Sequence, residues 1–411
     1  MFGVGVVGQT GGIGGTPAQL PSLYLGQVAT KARIPSASST TNKQFNSRSH
    51  HIARDNIASL KVVLPNWWWD RGATLLEKNL GGTITYTCAI EYPSGTFTQV
   101  KFSGSASVVA ANNSSVLSDF VNVTIPAGAA FWVRVFATSA TGIVFGAGTV
   151  TPSAPQCDSG NGEAMNYAAS GLTDLTMGGT ITPTTTGNGA PYFSPSAIVA
   201  MTRQPSVFLK GDSRVWGLGD AFDSSGDLGE LARSIGAAYG YINAGCSGDT
   251  IALYLTSKAN RLSLVQYCSH VLDETGINDL RAAGGNRTSA AVLTDLQTAY
   301  ADYTGKRILR TTIPPASTSS DNFATLANQV LDTNQAQIAA FNNSIRAGLA
   351  NVLRYFEVAD VVESSRNSGK WIVNGTANAY TIDGLHESPA AYALVKSSGA
   401  INTALITRAG L

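Results

Sequence analysis

A chain of 411 residues is too long for one ordinary domain, and an apolar fraction of 44% supplies enough material for two separate cores. Only 13% of the residues are charged and the formal net charge is +1, with no long run of either sign, which excludes electrostatic capture of nucleic acid or of an anionic membrane surface. The longest apolar stretches, such as Ser196 to Met201 and Ala129 to Val135, fall far short of the roughly 18–20 residues that span a bilayer.

In chain order, residues 1–45 are rich in Gly, Ser and Thr, weakly patterned, and read as an extended N-terminal arm. Met1 to Ala29 holds no Lys, Arg, Asp or Glu, and its apolar run stops at Val7, so no export signal is legible. An extracellular or virion-associated location is expected from the neutral, hydroxyl-rich composition, with a signal removed or with export by another route such as release in a phage particle.

Residues 46–200 carry β signals: Ser59 to Leu64, Thr83 to Thr87, Thr96 to Phe102, Val121 to Ile125 and Phe131 to Val135. Short β-branched and aromatic runs separated by Gly, Pro and Asn turns predict a β-sandwich or jelly roll. Trp67, Trp68 and Trp69 are adjacent, so in a strand they point to alternating faces. Packing in a core or interdomain seam is the first expectation for them, and a platform for sugar rings the second.

Residues 201–411 change pattern. Strands are predicted at Ser206 to Lys210, Tyr241 to Asn243, His270 to Asp273, Arg307 to Arg310 and Phe356 to Val358, with helices near 226–238, 287–302 and 332–354. Such alternation predicts an α/β domain with a mostly parallel sheet covered on both faces, its reactive groups gathered beyond the carboxyl ends of the strands. Cys88, Cys157, Cys246 and Cys268 show no Cys-x-x-Cys spacing, so no metal site is expected. Two disulfides, Cys88–Cys157 and Cys246–Cys268, or four free thiols are both compatible with the spacing.

Four short blocks follow predicted strands or lie near the C-terminus. Gly211-Asp212-Ser213 comes straight after a strand, as a nucleophile raised on a tight turn does. In Asn243-Ala244-Gly245-Cys246-Ser247-Gly248, the absence of a Cβ at Gly248 lets its backbone N–H approach a substrate oxygen. Gly276-Ile277-Asn278-Asp279 offers a side-chain amide as a further donor. Asp383-Gly384-Leu385-His386 places a carboxylate three residues before an imidazole, close enough to fix its tautomer. His50 and His51 belong to the β part, and His270 begins an apolar strand where a packed imidazole is expected. Taken singly, each block is also ordinary turn or cap chemistry.

In this order and at these distances the four blocks resemble those of the GDSL/SGNH hydrolases, and the resemblance covers about residues 200–411. It implies a three-layer α/β/α, flavodoxin-like domain. Ser213 is implied as nucleophile, His386 as base and Asp383 as its orienting carboxylate, with the N–H groups of Ser213 and Gly248 and the Asn278 amide as oxyanion hole. No metal or organic cofactor is implied. The first half resembles, more loosely, the β-sandwich that precedes this domain in some secreted or phage-borne members; it assigns no substrate-binding residue.

The expected activity is hydrolysis of a short acyl ester, most simply acetyl, on a small molecule or polysaccharide, with neither nucleic acid nor membrane insertion involved. Two alternatives remain open at this point. One is a phage-tail or extracellular carbohydrate-binding or structural protein with a vestigial hydrolase domain; the other is a sugar O-acyltransferase using the same residues.

Overall fold

A computed structural model describes residues 20–72, 74–147, 155–187 and 189–408. The chain is mixed α/β, with strands crowding its first half and strand–helix alternation in its second. Residues 1–19 of the expected arm lie outside the described residues. From Tyr24 onward the arm reading is replaced by built-in structure. Tyr24–Gln27 pairs antiparallel with Ala197–Thr202, and Ala32–Arg33 pairs in parallel with Ile242 and Asn243. The small residues here serve close packing: a Cβ on Gly26 would press on the Tyr24 ring, Ser206 and Thr202. Composition alone does not separate such a stretch from a linker.

Two larger antiparallel sheets, with two short two-stranded ones, make up the rest of the first half. One runs in the order Ser107–Ala110, Ile84–Glu91, Ala130–Thr138, Gln44–Ile52, Ala164–Ala168. In the other, Ile57–Pro65 pairs with Ala197–Thr202, Ser115–Leu117 and Val121–Ile125. Side chains alternate along these strands, so Phe131, Val133 and Val135 enter the same core as Leu60, Val62, Leu64 and Ile198. The opposite face of the second sheet is also buried. Its Val63, Ala197 and Val199 join Trp67 and Trp69 in a core shared with the second half. Burial on both faces explains why Ala197 to Met201 reads as an unbroken apolar run, whereas Ile57–Pro65 is broken by Ser59 and Lys61.

Six parallel strands form the sheet of the second half, in the order Ala32–Arg33, Gly240–Asn243, Ser206–Lys210, His270–Asp273, Arg307–Thr311, Val352–Phe356. Phe208, Ile242, Val271 and Ile308 point into a core with helices Ser289–Ala301 and Gln335–Ala347. Val207, Leu209, Leu272 and Leu309 point the other way, against helices Glu230–Ile235 and Pro389–Ser398. Chain connections leave in opposite directions from Ser206–Lys210, creating a crevice at its carboxyl end. Ser213 stands there.

Several predicted elements shift. The last strand is Val352–Phe356 instead of Phe356 to Val358: the helix predicted over 332–354 took in its first residues, although Val352-Leu353-Arg354-Tyr355-Phe356 is largely apolar and exposes Leu353, Arg354 and Tyr355 at the sheet edge. The helix predicted over 332–354 stops at Ala347, where Gly348 takes φ of +96°. Helix Pro389–Ser398 escaped notice despite legible signals: Ser388 caps it, Pro389 opens it, and Gly399 closes it in the left-handed region. None of the four cysteines forms a disulfide. Among the described residues no helix is long and apolar enough to cross a membrane.

Candidate active site

The strand Ser206–Lys210 is buried throughout and delivers the chain into a tight turn. Gly211 is required there, since a Cβ would collide with Val215. Asp212 caps the one-turn helix Ser213–Trp216 by accepting the Arg214 N–H at 3.1 Å. Ser213 Oγ lies 2.8 Å from His386 Nε2, and His386 Nδ1 lies 2.7 Å from Asp383 Oδ2. With the carboxylate accepting the Nδ1–H, the Nε2 lone pair is left to accept the serine proton. Burial pushes the Asp383 carboxyl up, but hydrogen bonds from the His386 ring, the attraction of that ring and the backbone N–H groups of His386 and Leu385 outweigh it, holding the group at about 2.

The loop carrying His386 is pinned on both sides. Gly384 has φ of +81°, and a Cβ there would run into the Ser317 carbonyl and the Phe323 ring. Its own carbonyl accepts from Trp371 Nε1 at 2.9 Å. Arg214, a residue that the motif reading passed over, donates from Nε to the Leu385 carbonyl at 2.9 Å. The side chain following the serine therefore holds the residue preceding the histidine. A cation in an otherwise apolar turn of helix was the available signal.

Beneath this junction sits a buried charge cluster. Asp212, Glu230, Glu274 and Glu387 surround the guanidinium of Arg214, and all five are 0% exposed. Burial, then repulsion by neighbouring carboxylates, drives Glu230 and Glu274 well above the usual carboxylate range. A raised folded-state pKa means that the native chain holds a proton that the unfolded chain releases above its own pKa of about 4.3, so this contribution to stability falls as pH rises through the window above that value. Glu230→Gln removes the penalty. Its Tm relative to the native protein should therefore be more favourable at pH 8 than at pH 5; a difference that ran the other way would mean that Glu230 is ionised in the folded state.

The remaining predicted residues are tied into one loop system. Asn243 Nδ2 donates to the Val215 carbonyl at 2.9 Å, and a Cβ on Gly245 would meet the Trp216 nitrogen at 2.5 Å, so the second block packs directly on the serine helix. Gly248 follows with φ of +84°. Asn278 Nδ2 donates to the Asp249 carbonyl at 3.1 Å, joining the third block to the residue after Gly248. The structure thus brings Ser213, His386 and Asp383 into one hydrogen-bonded line and links the Gly248 loop to Asn278. His270 is packed between Ser269 Oγ and the Thr407 carbonyl, as expected, and His51 between Ser49 Oγ and the Thr30 carbonyl. Among the described residues no group of three or more His, Cys, Asp or Glu side chains is placed to hold a metal ion.

The first half also reaches this site. Trp69 Nε1 lies 3.4 Å from the Ser247 carbonyl, the Arg71 guanidinium lies 5.0 Å from the centre of the Trp216 ring, and a Cβ on Gly248 would meet Leu75 at 3.1 Å. Glu77 accepts the backbone N–H groups of Asn260 and Arg261, capping the helix Ala259–Leu264. Trp67 and Trp69 are buried in the shared core and Trp68 is half-buried, which removes two of the three from the sugar-platform expectation.

No protein-family model matches the chain, and no curated protein matches it. Solved structures similar to it include a carbohydrate acetylesterase from Sinorhizobium meliloti, at 18% identity and TM-score 0.33 over 49% of this chain and 99% of the other. A GDSL-like lipase from Bacteroides thetaiotaomicron aligns at 19% identity and TM-score 0.34, over 49% and 89%. A lipase/acylhydrolase from Enterococcus faecalis aligns at 21% identity and TM-score 0.33, over 48% and 95%.

Proposed function

We propose that the protein is a serine esterase that removes a short acyl group, most simply acetyl, from a saccharide through an acyl-enzyme. The observation that carries this reading is the line from Ser213 Oγ through His386 to Asp383, at 2.8 and 2.7 Å. Helices against both faces of the parallel sheet support a three-layer α/β/α catalytic domain over about 201–411. The shared core of the two antiparallel sheets supports a β-sandwich before it.

His386 takes the Ser213 proton as the hydroxyl attacks the ester carbonyl, and Asp383 stabilises the imidazolium that forms. The N–H groups of Ser213 and Gly248 and the amide of Asn278 receive the tetrahedral oxyanion. His386 then returns the proton to the leaving alcohol and activates water against the acyl-enzyme by the same route. Arg214 keeps His386 in register with Ser213 through the Leu385 carbonyl.

Hydrolysis of p-nitrophenyl esters across acyl lengths tests the reading, with acetyl expected to be best and longer chains progressively worse. Asn278→Ala should lower kcat by roughly 10²–10³, the usual loss for one oxyanion donor, with KM little changed. Full activity in that variant would remove Asn278 from the proposed oxyanion hole.

A further inference from the structure

The segment Trp68–Lys78 borders the site on one side and an open cleft on the other. That cleft has a volume of about 430 Å³ and is lined by Ser36, Ser38, Trp68, Asp70, Arg71 and Lys78. Its size falls within the roughly 300–1,000 Å³ of ordinary ligand sites. A second depression of about 220 Å³, with Asn42, Phe145 and Tyr167 on its walls, shares Ser38 with the first as a lining residue. The paired strands Ala37–Ser39 and Ile143–Phe145 contribute Ser38 and Phe145 to these walls. Trp68, Phe145 and Tyr167 are all half-buried, each packed on the β core. Arg71, which lines the first cleft, also lies over the ring of Trp216, three residues after Ser213.

Half-buried aromatic side chains among hydroxyl, amide, carboxylate and amine groups match the two faces of a sugar, an apolar C–H surface and a ring of hydroxyls. Charge arrangement also argues for a fixed recognition wall. The Asp70 carboxylate accepts from Gly72 N, Thr74 N and Thr74 Oγ1, holding the turn that presents Arg71 and Leu75. Leu75 covers Gly248 from this turn, so the β half contributes to the wall of the site itself. We infer that these two depressions form a saccharide subsite in which a polysaccharide chain lies across Trp68 and Ser38 and presents its acyl group to Ser213 past Arg71. This deepens the esterase reading and rests on it for the role of Ser213.

The test compares acetate release from partially O-acetylated xylan, glucomannan and pectin with release from an acetylated monosaccharide and from p-nitrophenyl acetate. At least one polymer should exceed the monosaccharide by about tenfold or more in kcat/KM, roughly the effect of one good contact. Trp68→Ala should erase that preference through KM and leave p-nitrophenyl acetate unchanged. Because Trp68 also packs on the β core, Ser38→Trp, which places a bulky ring at the residue lining both depressions, serves as an independent block with the same expected result. Equal rates on polymers and monosaccharide, or loss of polymer and p-nitrophenyl activity in parallel in both variants, would overturn the subsite. Absence of any Ser213-dependent hydrolysis would count against the esterase reading alone. In that event calorimetric titration with the deacetylated polymers decides the subsite, supporting it if binding weakens in Trp68→Ala and refuting it if none binds.

Discussion

Ser213→Ala should abolish hydrolysis of p-nitrophenyl acetate, with a loss in kcat on the order of 10⁶, because nucleophile and base act as one unit. The side chain is small and its Oγ is bonded to His386 Nε2, so its removal leaves Gly211, the Asp212 cap and the loop packing in place. His386→Ala should lose about as much, and the double variant little more than either, since a missing partner already disables the other. Asp383→Asn should lose less, about 10⁴, by failing to hold the reactive tautomer. Multiplicative losses in the Ser213/His386 double variant would show the two residues acting separately and would refute the proposed mechanism.

Arg261→Ala should be the most destabilising single substitution in the seam, at about 3–5 kcal/mol, the usual cost of stripping one partner from a buried ion pair. Arg261 is 1% exposed and donates to Asp249 Oδ2 at 2.5 Å and to Glu77 Oε1 at 3.2 Å, while its guanidinium stacks 4.5 Å from the Trp69 ring centre. Asp249 belongs to the loop after Gly248, and Glu77 and Trp69 to the first half, so one side chain couples the two halves at the edge of the site. Chemical denaturation of Arg261→Ala, Glu77→Gln and the double variant measures that coupling. Losses that add would mean that Arg261 does not bridge the halves. Activity should fall with stability in Arg261→Ala, since Asp249 is then a buried carboxylate without its cation and the neighbouring backbone must move to accommodate it.

Legibility varied with how local each signal was. Gly211-Asp212-Ser213 and Asp383-Gly384-Leu385-His386 were readable because turn geometry and a three-residue spacing are properties of the chain itself. Arg214 was not, because its importance lies in the Leu385 carbonyl, 171 residues away. The edge strand Val352–Phe356 was misplaced because a short apolar run soon after a helix reads as its continuation, and only sheet pairing separates the two. Residues 24–45 were misread for a similar reason: small polar residues look alike in a loose arm and in tightly paired strands.

From the sequence alone came the mixed α/β character of the second half and the strands Ser206–Lys210 and His270–Asp273, since periodicity and turn chemistry are encoded within a few residues of one another. Only the tertiary structure decided that Ala32–Arg33 completes the parallel sheet, that Trp67 and Trp69 are core residues, and that Leu75 covers Gly248 while Arg71 lies over Trp216. Each of these depends on bringing distant segments to within a side chain's length, where the burial of apolar surface shared between two halves outweighs the freedom that either would keep apart.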